Sequence, residues 1–371
     1  MLPLDSTLPR KPDARYAWAD LVAAFRNGLH SPFFIRLRSW EYWPFAVVYV
    51  PVFVYWLWLS LKARSLFFFS AGNPSIESGG LLGESKIDIL DKISDEFKPK
   101  TLYIPRSMHI DEAFSRAINT KITFPIIAKP NAGERGWRVE KIEHWEGLVN
   151  YIQSSPVDFL VQEYVDYPLE LGVFYYRMPG ETRGKISSIV QKKFLSITGN
   201  GRDCIDTLIR QNDRALLQID ALTAKYGDEL DRIPAPGETV VLMPIGNHSR
   251  GTTFLNANHL ITPELERLFD RISGSIGGFY FGRYDLRCRS VADLYGGRHI
   301  RILELNGAGA EPAHIYQPGF SLWAAWGVLL HHWRVLYDIS RENHRRGVAY
   351  MTLAEARMIY TRIRSDKNQP N

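Results

Sequence analysis

Hydrophobic and polar positions divide this chain into three regimes. The first is the run 42–61, which holds no charged side chain. About twenty apolar residues suffice for a helix to cross a bilayer's hydrocarbon. Trp40, Tyr42, Trp43, Trp56 and Trp58 stand near its ends as interfacial aromatics do, and Arg36, Arg38, Lys62 and Arg64 flank it. The run starts too far in, and lacks the cleavage site, to be an ordinary signal peptide. Pro44 and Pro51 each remove a helix hydrogen bond. A kinked span, a re-entrant segment and a buried helix of a soluble fold therefore all stay open. The arm before it, 1–40, is basic (Arg10, Lys11, Arg15, Arg26) with a short amphipathic helix expected at 17–29.

The second regime alternates. Residues 65–70 read as a buried strand, 71–80 as a small-residue loop and 84–93 as a helix, followed by a strand at 101–105 and a helix at 110–119. Short apolar strands are predicted at 124–130, 139–142, 159–165, 170–177, 185–197 and 239–244, with helices at 144–153, 205–211, 215–226 and 262–275. Two further strands carry the most chemistry, 283–288 and 300–306. In the first, Tyr284, Leu286 and Cys288 point one way and Arg283, Asp285 and Arg287 the other. In the second, Ile300, Ile302, Glu304 and Asn306 are expected to share a face. Gly296-Gly297 between them can return the chain, so the two are expected to pair as a hairpin with a long connection. The third regime is a helical tail at 322–342 and 353–364.

Pairing the two strands would gather Asp285, Glu304 and Asn306 on one surface. An all-oxygen set suits a hard cation such as Mg²⁺, with water and phosphate completing the shell. On these residues alone a solvated sheet face explains them as well. Lys129 closes an apolar strand beside the polar loop 131–138, where loop N–H groups and an ammonium could share an anion.

Composition narrows the partners. The formal net charge is +5 and the pI about 9.0, which suits an anionic ligand or a phospholipid surface. No nucleic-acid recognition motif is present, and nucleic acid is not expected as a partner. Two cysteines, Cys204 and Cys288, form neither a disulfide framework nor a metal cluster.

Taken in order, Phe124-Pro-Ile-Ile-Ala-Lys-Pro130, the glycine loop, Val161-Gln-Glu-Tyr-Val165, Glu170, Lys193-Phe194, Gly199-Asn-Gly-Arg-Asp203, Gly282-Arg-Tyr-Asp285 and Leu303-Glu-Leu-Asn-Gly307 are familiar. Over 124–318 the chain resembles the ATP-grasp superfamily, in the manner of D-alanine–D-alanine ligase and the ligase domain of cyanophycin synthetase. The resemblance implies an α+β fold whose two lobes clasp ATP. It divides the chain into a basic arm (1–40), a membrane segment (41–62), a small α/β unit like the preATP-grasp domain (63–121), small and large lobes (122–180 and 181–320) and C-terminal helices (321–371).

It also implies roles. Lys129 would contact the α/β phosphates, and Gly133, Arg135 and Gly136 would belong to the mobile loop over them. Gln162, Glu163 and Val165 would lie in the adenine-binding hinge, Glu170 would hold the ribose, and Lys192 or Lys193 would approach the γ-phosphate. Asp285, Glu304 and Asn306 would ligate Mg²⁺ (or Mn²⁺), Arg283 would stabilise the transferring phosphoryl group, and Arg250 would sit among substrate contacts beside His248. An earlier lysine that the family carries has no clean counterpart; Lys121 and Arg116 are the candidates. The implied activity is ATP-dependent ligation of a small-molecule carboxylate to an amine through an acyl phosphate, with the catalytic lobes on the cytoplasmic face of a lipid bilayer. A phosphotransferase, or a non-catalytic nucleotide-binding membrane protein, would use the same lobes. Oligomeric state is left open.

Overall fold

The computed structural model describes residues 31–133, 136–244 and 246–367. The expected helix at 17–29, with the basic residues up to Arg26, lies outside them, as does Arg135. The described residues are mixed α+β and divide into two compact units, with the chain passing between them after residues 48, 195 and 240; the larger holds the stretches that start at 49 and 241.

The uncharged run does not form one spanning helix. It breaks into a 3-10 turn (Trp40–Tyr42), a single helical turn (Phe45–Val48) and a helix at Val50–Ala63. The prolines explain the breaks, because proline starts helices readily and interrupts them elsewhere. Pro44 precedes the short turn and Pro51 lies in the first turn of the longer helix. Fourteen residues rise only ~21 Å, short of the ~30 Å hydrocarbon core. Among the described residues no helix is long and apolar enough to cross a membrane, so the expected transmembrane segment at 41–62 is withdrawn.

The larger unit holds two antiparallel sheets. The first contains β1 (Thr101–Ile104), β2 (Ile126–Pro130), β3 (Glu140–Ile142) and β4 (Phe159–Glu163) in the order β1-β4-β2-β3. Ile126, Ala128 and Val161 pack against Leu148 and Tyr151 of the Trp145–Ser154 helix. β1, expected in a small unit of its own, is an edge strand of this sheet, since four residues cannot form a stable sheet alone. The expected strand at 65–70 is instead a 3-10 stretch, Phe68–Gly72, which buries Phe68 edge-on against Tyr337. Short apolar runs fit either geometry, and here packing decides.

The second sheet is formed by β5 (Leu169–Tyr176), β6 (Lys185–Lys193), β9 (Thr253–Asn256), β10 (Phe281–Cys288) and β11 (Ile300–Asn306), ordered β11-β10-β5-β6-β9. The strand expected at 185–197 ends at Lys193; β7 (Leu195–Thr198) and β8 (Thr239–Met243) form a separate two-stranded sheet. One face of the five-stranded sheet is core: Leu171, Val173, Ile189, Tyr284, Leu286 and Ile302 pack on Leu265, Leu268, Phe269 and Ile272 of the Pro263–Ser275 helix. At one end of the other face, Phe174 and Phe281 meet the long Leu322–Arg345 helix through Leu336 and Tyr337. Further along that face lie the charged residues and, beside them, a small apolar cluster of Val190, Phe254, Ala313 and Tyr316.

Between β10 and β11 the chain forms a short helix (Val291–Tyr295), capped by Ser290, before Gly297 at φ +65° turns it back. The start of β10 is tied down by buried Asn73. Its amide donates to Gly79 O (2.9 Å) and Phe281 O (2.8 Å), and its oxygen accepts from the N–H groups of Tyr280 and Phe281, both at 2.9 Å.

In the smaller unit, the helix expected at 215–226 is interrupted, giving Asp213–Leu216 and Ile219–Tyr226. Asn212 accepts from the N–H groups of Arg214 and Ala215 and so caps the first piece. Arg214 pairs with Glu41 at 2.7 Å, and Arg38 pairs with Asp213.

Candidate active site

β10, flanked by β11 and β5, carries the charged centre of this face. Alternation sends Arg283, Asp285 and Arg287 to that face and Tyr284, Leu286 and Cys288 into the core, as the sequence predicts. Register then sets the neighbours. Arg283 is opposite Asn306 and Asp285 opposite Glu304 on β11; on β5, Asp285 is opposite Gly172 and Arg287 opposite Glu170; Glu170 is in turn opposite Lys192 of β6.

β11 departs from the expected alternation. Its register shifts by one residue, with Leu286 opposite Ile302 while Asp285 stays opposite Glu304, so Leu303 is an extra, bulged residue. The bulge changes the phase of the strand. Ile300 and Ile302 point into the core, and Glu304 and Asn306 reach the polar face they were expected to share with them. The unpaired Leu303 carbonyl also becomes available, and it accepts from Lys129 Nζ at 3.0 Å.

The result is a packed set of alternating charges. Arg283 grips Asp285 with Nε (2.8 Å) and Nη2 (3.1 Å) and donates through Nη1 to the Glu311 carbonyl at 2.9 Å. Lys192 lies 3.4 Å from Asp285 and 3.5 Å from Glu170. Arg287 donates to Glu170 at 3.0 Å and to Val165 O at 2.6 Å. Burial would raise the Asp285 carboxyl, but Arg283 and Lys192 outweigh it and hold it at about 2. Gly172 gives the cluster room, since a Cβ there would come 2.8 Å from Val190 and 3.1 Å from Asp285 Oδ1.

Lys129 enters from the end of β2. It is buried, and besides Leu303 O it donates to Gln162 Oε1 at 3.0 Å. Burial lowers its ammonium to about 8, with Glu304 opposing the shift and Lys86 adding to it. Lys86, from the short Lys86–Leu90 helix, reaches the same place: it lies 3.6 Å from Glu304 and donates to Gly133 O at 2.6 Å. Neither Lys121 nor Arg116 does so. Both are exposed, and Arg116 pairs with Glu112 on its own helix.

Other expected residues are distributed as follows. Gly133 and Gly136 flank the glycine loop, and Arg250 Nη2 donates to Gly136 O at 3.0 Å. The Gln162 amide accepts from Lys129 and donates to Thr101 Oγ1 at 3.0 Å, so this side chain helps to position the lysine. Glu163 ends β4 and accepts from the Lys100 N–H at 3.3 Å. Lys193 is exposed, and its neighbour Lys192 is the lysine that alternation turns toward Asp285. His248 packs its ring near Phe254 and Tyr316, with centroids 5.3 and 5.4 Å away. His332 and His314 are buried and held neutral by desolvation, both near 4; they bond Ser187 at 2.8 Å and Ser188 at 2.6 Å.

Three residues of the cluster escape sequence reading. Lys86 sits on a helix with no motif around it. Arg287 is visible in the alternation but has no role until Glu170 is placed beside it. Glu311 lies in a loop; burial raises its carboxyl to about 7 against a hydrogen bond from Tyr316 at 2.9 Å.

The oxygen donors can be tested against Mg²⁺. Among the described residues no group of three or more His, Cys, Asp or Glu is placed to hold a metal. Asp285, Glu304 and the Asn306 carboxamide, whose nitrogen is 3.4 Å from Asp285, supply two carboxylates and one amide oxygen. Mg²⁺ usually takes one or two carboxylates and completes its shell with phosphate and water. The set therefore fits Mg²⁺ when further oxygens from phosphate or water complete the shell.

No family model and no curated protein matches the chain. Solved structures do. The bifunctional glutathione synthetase of Pasteurella multocida aligns over 66% of this chain and 36% of its own, with 14% identity and a TM-score of 0.36. D-alanine–D-alanine ligase of Bacillus anthracis aligns over 71% and 67%, with 10% identity and a TM-score of 0.38. The VanG D-Ala:D-Ser ligase of Enterococcus faecalis aligns over 67% and 58%, with 15% identity and a TM-score of 0.37. The chain thus spans about a third of the first of these proteins and three-fifths to two-thirds of the others. Scores this low leave the reading of the cleft to its own residues.

Proposed function

We propose that the larger unit is an ATP-grasp nucleotide site and that the chain is an ATP- and Mg²⁺-dependent ligase joining a small carboxylate to an amine. The observation that carries this reading is the charge arrangement. Lys129 and Lys86 come from outside the five-stranded sheet to meet Glu304, while Arg283 and Lys192 flank Asp285 on the sheet itself. Four cations around Asp285, Glu304 and Asn306, of which Glu170 neutralises only Lys192, are poor design for a free protein and good design for one that receives a polyphosphate with its metal.

In this reading Lys129 and Lys86 bind the phosphates beneath the loop that ends at Gly136. Glu170, held by Arg287, presents a carboxylate oxygen to the ribose. Asp285, Glu304 and Asn306 would hold Mg²⁺, which when bound would supply charge neutralisation for the transferring phosphate. Arg283 faces the transferring phosphoryl group. The substrate carboxylate attacks the γ-phosphorus and ADP leaves; the amine then attacks the acyl carbon, phosphate departs and the amine proton is lost. The chain's part is positioning and charge compensation.

The test is ADP and phosphate release from MgATP against a matrix of amino acids, small carboxylic acids and amines. Release that requires one acid and one amine supports ligation. ADP formation with an acceptor and no amine would select a phosphotransferase, and absence of nucleotide binding by calorimetry would overturn the site itself.

A further inference from the structure

The helix Val50–Ala63 is apolar on both sides. One side packs on the long C-terminal helix, with Val52 and Leu59 buried and Tyr55 and Trp56 close to Leu336 and Tyr337. The other side presents Val50, Val54, Leu57, Trp58 and Leu61, which are 55, 64, 50, 45 and 78% exposed. Their spacing of four, three, one and three places them on one stripe. The chain solvates the neighbouring helix in the ordinary way, with Arg334–Asp338 and Arg346–Glu342 ion pairs on the Leu322–Arg345 helix. From Val50 to Leu61 there is no charge at all.

We propose that this stripe is an in-plane anchor for an anionic phospholipid surface, with the helix lying in the interface and not crossing it. Three observations favour lipid over another protein surface. The helix is too short to span, so only a parallel arrangement buries the stripe. It ends in cations: Lys62 and Arg64 are exposed and have no carboxylate partner among the described residues. Lys62 Nζ sits 4.4 Å over the Trp58 ring, which places an aromatic–ammonium pair at the stripe's edge, where apolar tails give way to phosphate headgroups. Arg64, at φ +54°, caps the helix and turns the chain away just after this edge. Finally, the stripe is small. At ~21 Å long and about 10 Å wide it offers roughly 200 Å², a quarter of the ~800 Å² per partner that a stable dimer needs.

The experiment is flotation of the full chain with phosphatidylcholine vesicles, with and without phosphatidylglycerol, comparing wild type with Leu57→Glu/Leu61→Glu and Lys62→Glu/Arg64→Glu. The wild type is expected to float with the mixed vesicles. The first variant should lose at least ~10-fold in partitioning to both vesicle types, and the second should lose its preference for phosphatidylglycerol alone. Because all four side chains are exposed, thermal midpoints should be unchanged, so lost binding is not lost folding. Brominated lipid should quench Trp58, and Trp58→Phe should remove that part of the quenching. A wild type that stays with the soluble fraction overturns the proposal, as does a Leu57→Glu/Leu61→Glu variant that floats equally well. So does a stripe whose charged variant only breaks up a dimer, which would assign the face to a second copy. None of these outcomes depends on the ligase reading, because nucleotide turnover is not measured.

Discussion

Replacing Lys129 by methionine separates what the cleft costs from what it does. The ammonium is buried between Gln162, Leu303 and the charges of Glu304 and Lys86, and sits near 8 instead of 10.5. A group whose folded pKa is depressed below its unfolded value penalises the folded state while it is charged. For a lysine the penalty is fully present at pH 7 and is relieved as pH rises from about 8 towards 10.5. A depression from 10.5 to about 8 corresponds to ~3 kcal/mol. Methionine keeps most of the stem and removes that penalty, but leaves the Gln162 and Leu303 oxygens without a donor, at about 1 kcal/mol or more each. The free protein should therefore change by no more than ~2 kcal/mol in either direction. A charged contact to phosphate contributes about 1.5–3 kcal/mol, so affinity for a non-hydrolysable ATP analogue with Mg²⁺ should fall roughly 10- to 150-fold. Urea denaturation at pH 7 and at pH 9, together with calorimetry, reads all three quantities. The wild type should gain stability relative to the variant between those pH values. A variant that loses more than ~4 kcal/mol at pH 7, or binds the analogue within twofold of wild type, would refute the reasoning.

Glu304→Gln keeps the strand and its register while removing one of the two carboxylates opposite each other, so Mg²⁺-dependent nucleotide binding should weaken at least ~10-fold with the urea midpoint little changed; titration with Mg²⁺ at fixed nucleotide measures it. Glu311 behaves oppositely to an ordinary carboxylate. Its raised pKa, due to burial, gives a contribution to stability that is present below about 4.5 and lost as pH rises through about 7. Thermal midpoints followed from pH 5 to pH 8 should fall in the wild type and fall less in Glu311→Gln; parallel curves would rule out this burial.

Much of the larger unit can be read from alternation, because its strands each bury one side. Arg283, Asp285 and Arg287 against Tyr284, Leu286 and Cys288 is a pattern with one solution. What alternation cannot see is a change of phase inside a strand. Ile300, Ile302, Glu304 and Asn306 have even spacing and still divide between two faces. Lys192 and Lys193 are equivalent as letters, and only pairing with β5 and β9 decides which one enters the cleft. Lys86 arrives through tertiary packing from far along the chain, and no local pattern announces it. The apolar run at 42–61 has the composition of a span but the punctuation of several short helices, and its two prolines were the legible sign of that.

The bulge at Leu303 makes β11 a strand in two reading frames. Upstream of it, hydrophobicity is subject to the demands of the core; downstream, the same spacing is free to carry ligands. Such a strand has unequal tolerances. The Leu303 side chain can vary, because what Lys129 uses there is a main-chain oxygen that every residue possesses. The length of the strand cannot, since losing one residue would turn Glu304 and Asn306 inward and expose Leu305 to the cleft. The number of residues in this segment, more than their identity, decides which side chains reach the cleft.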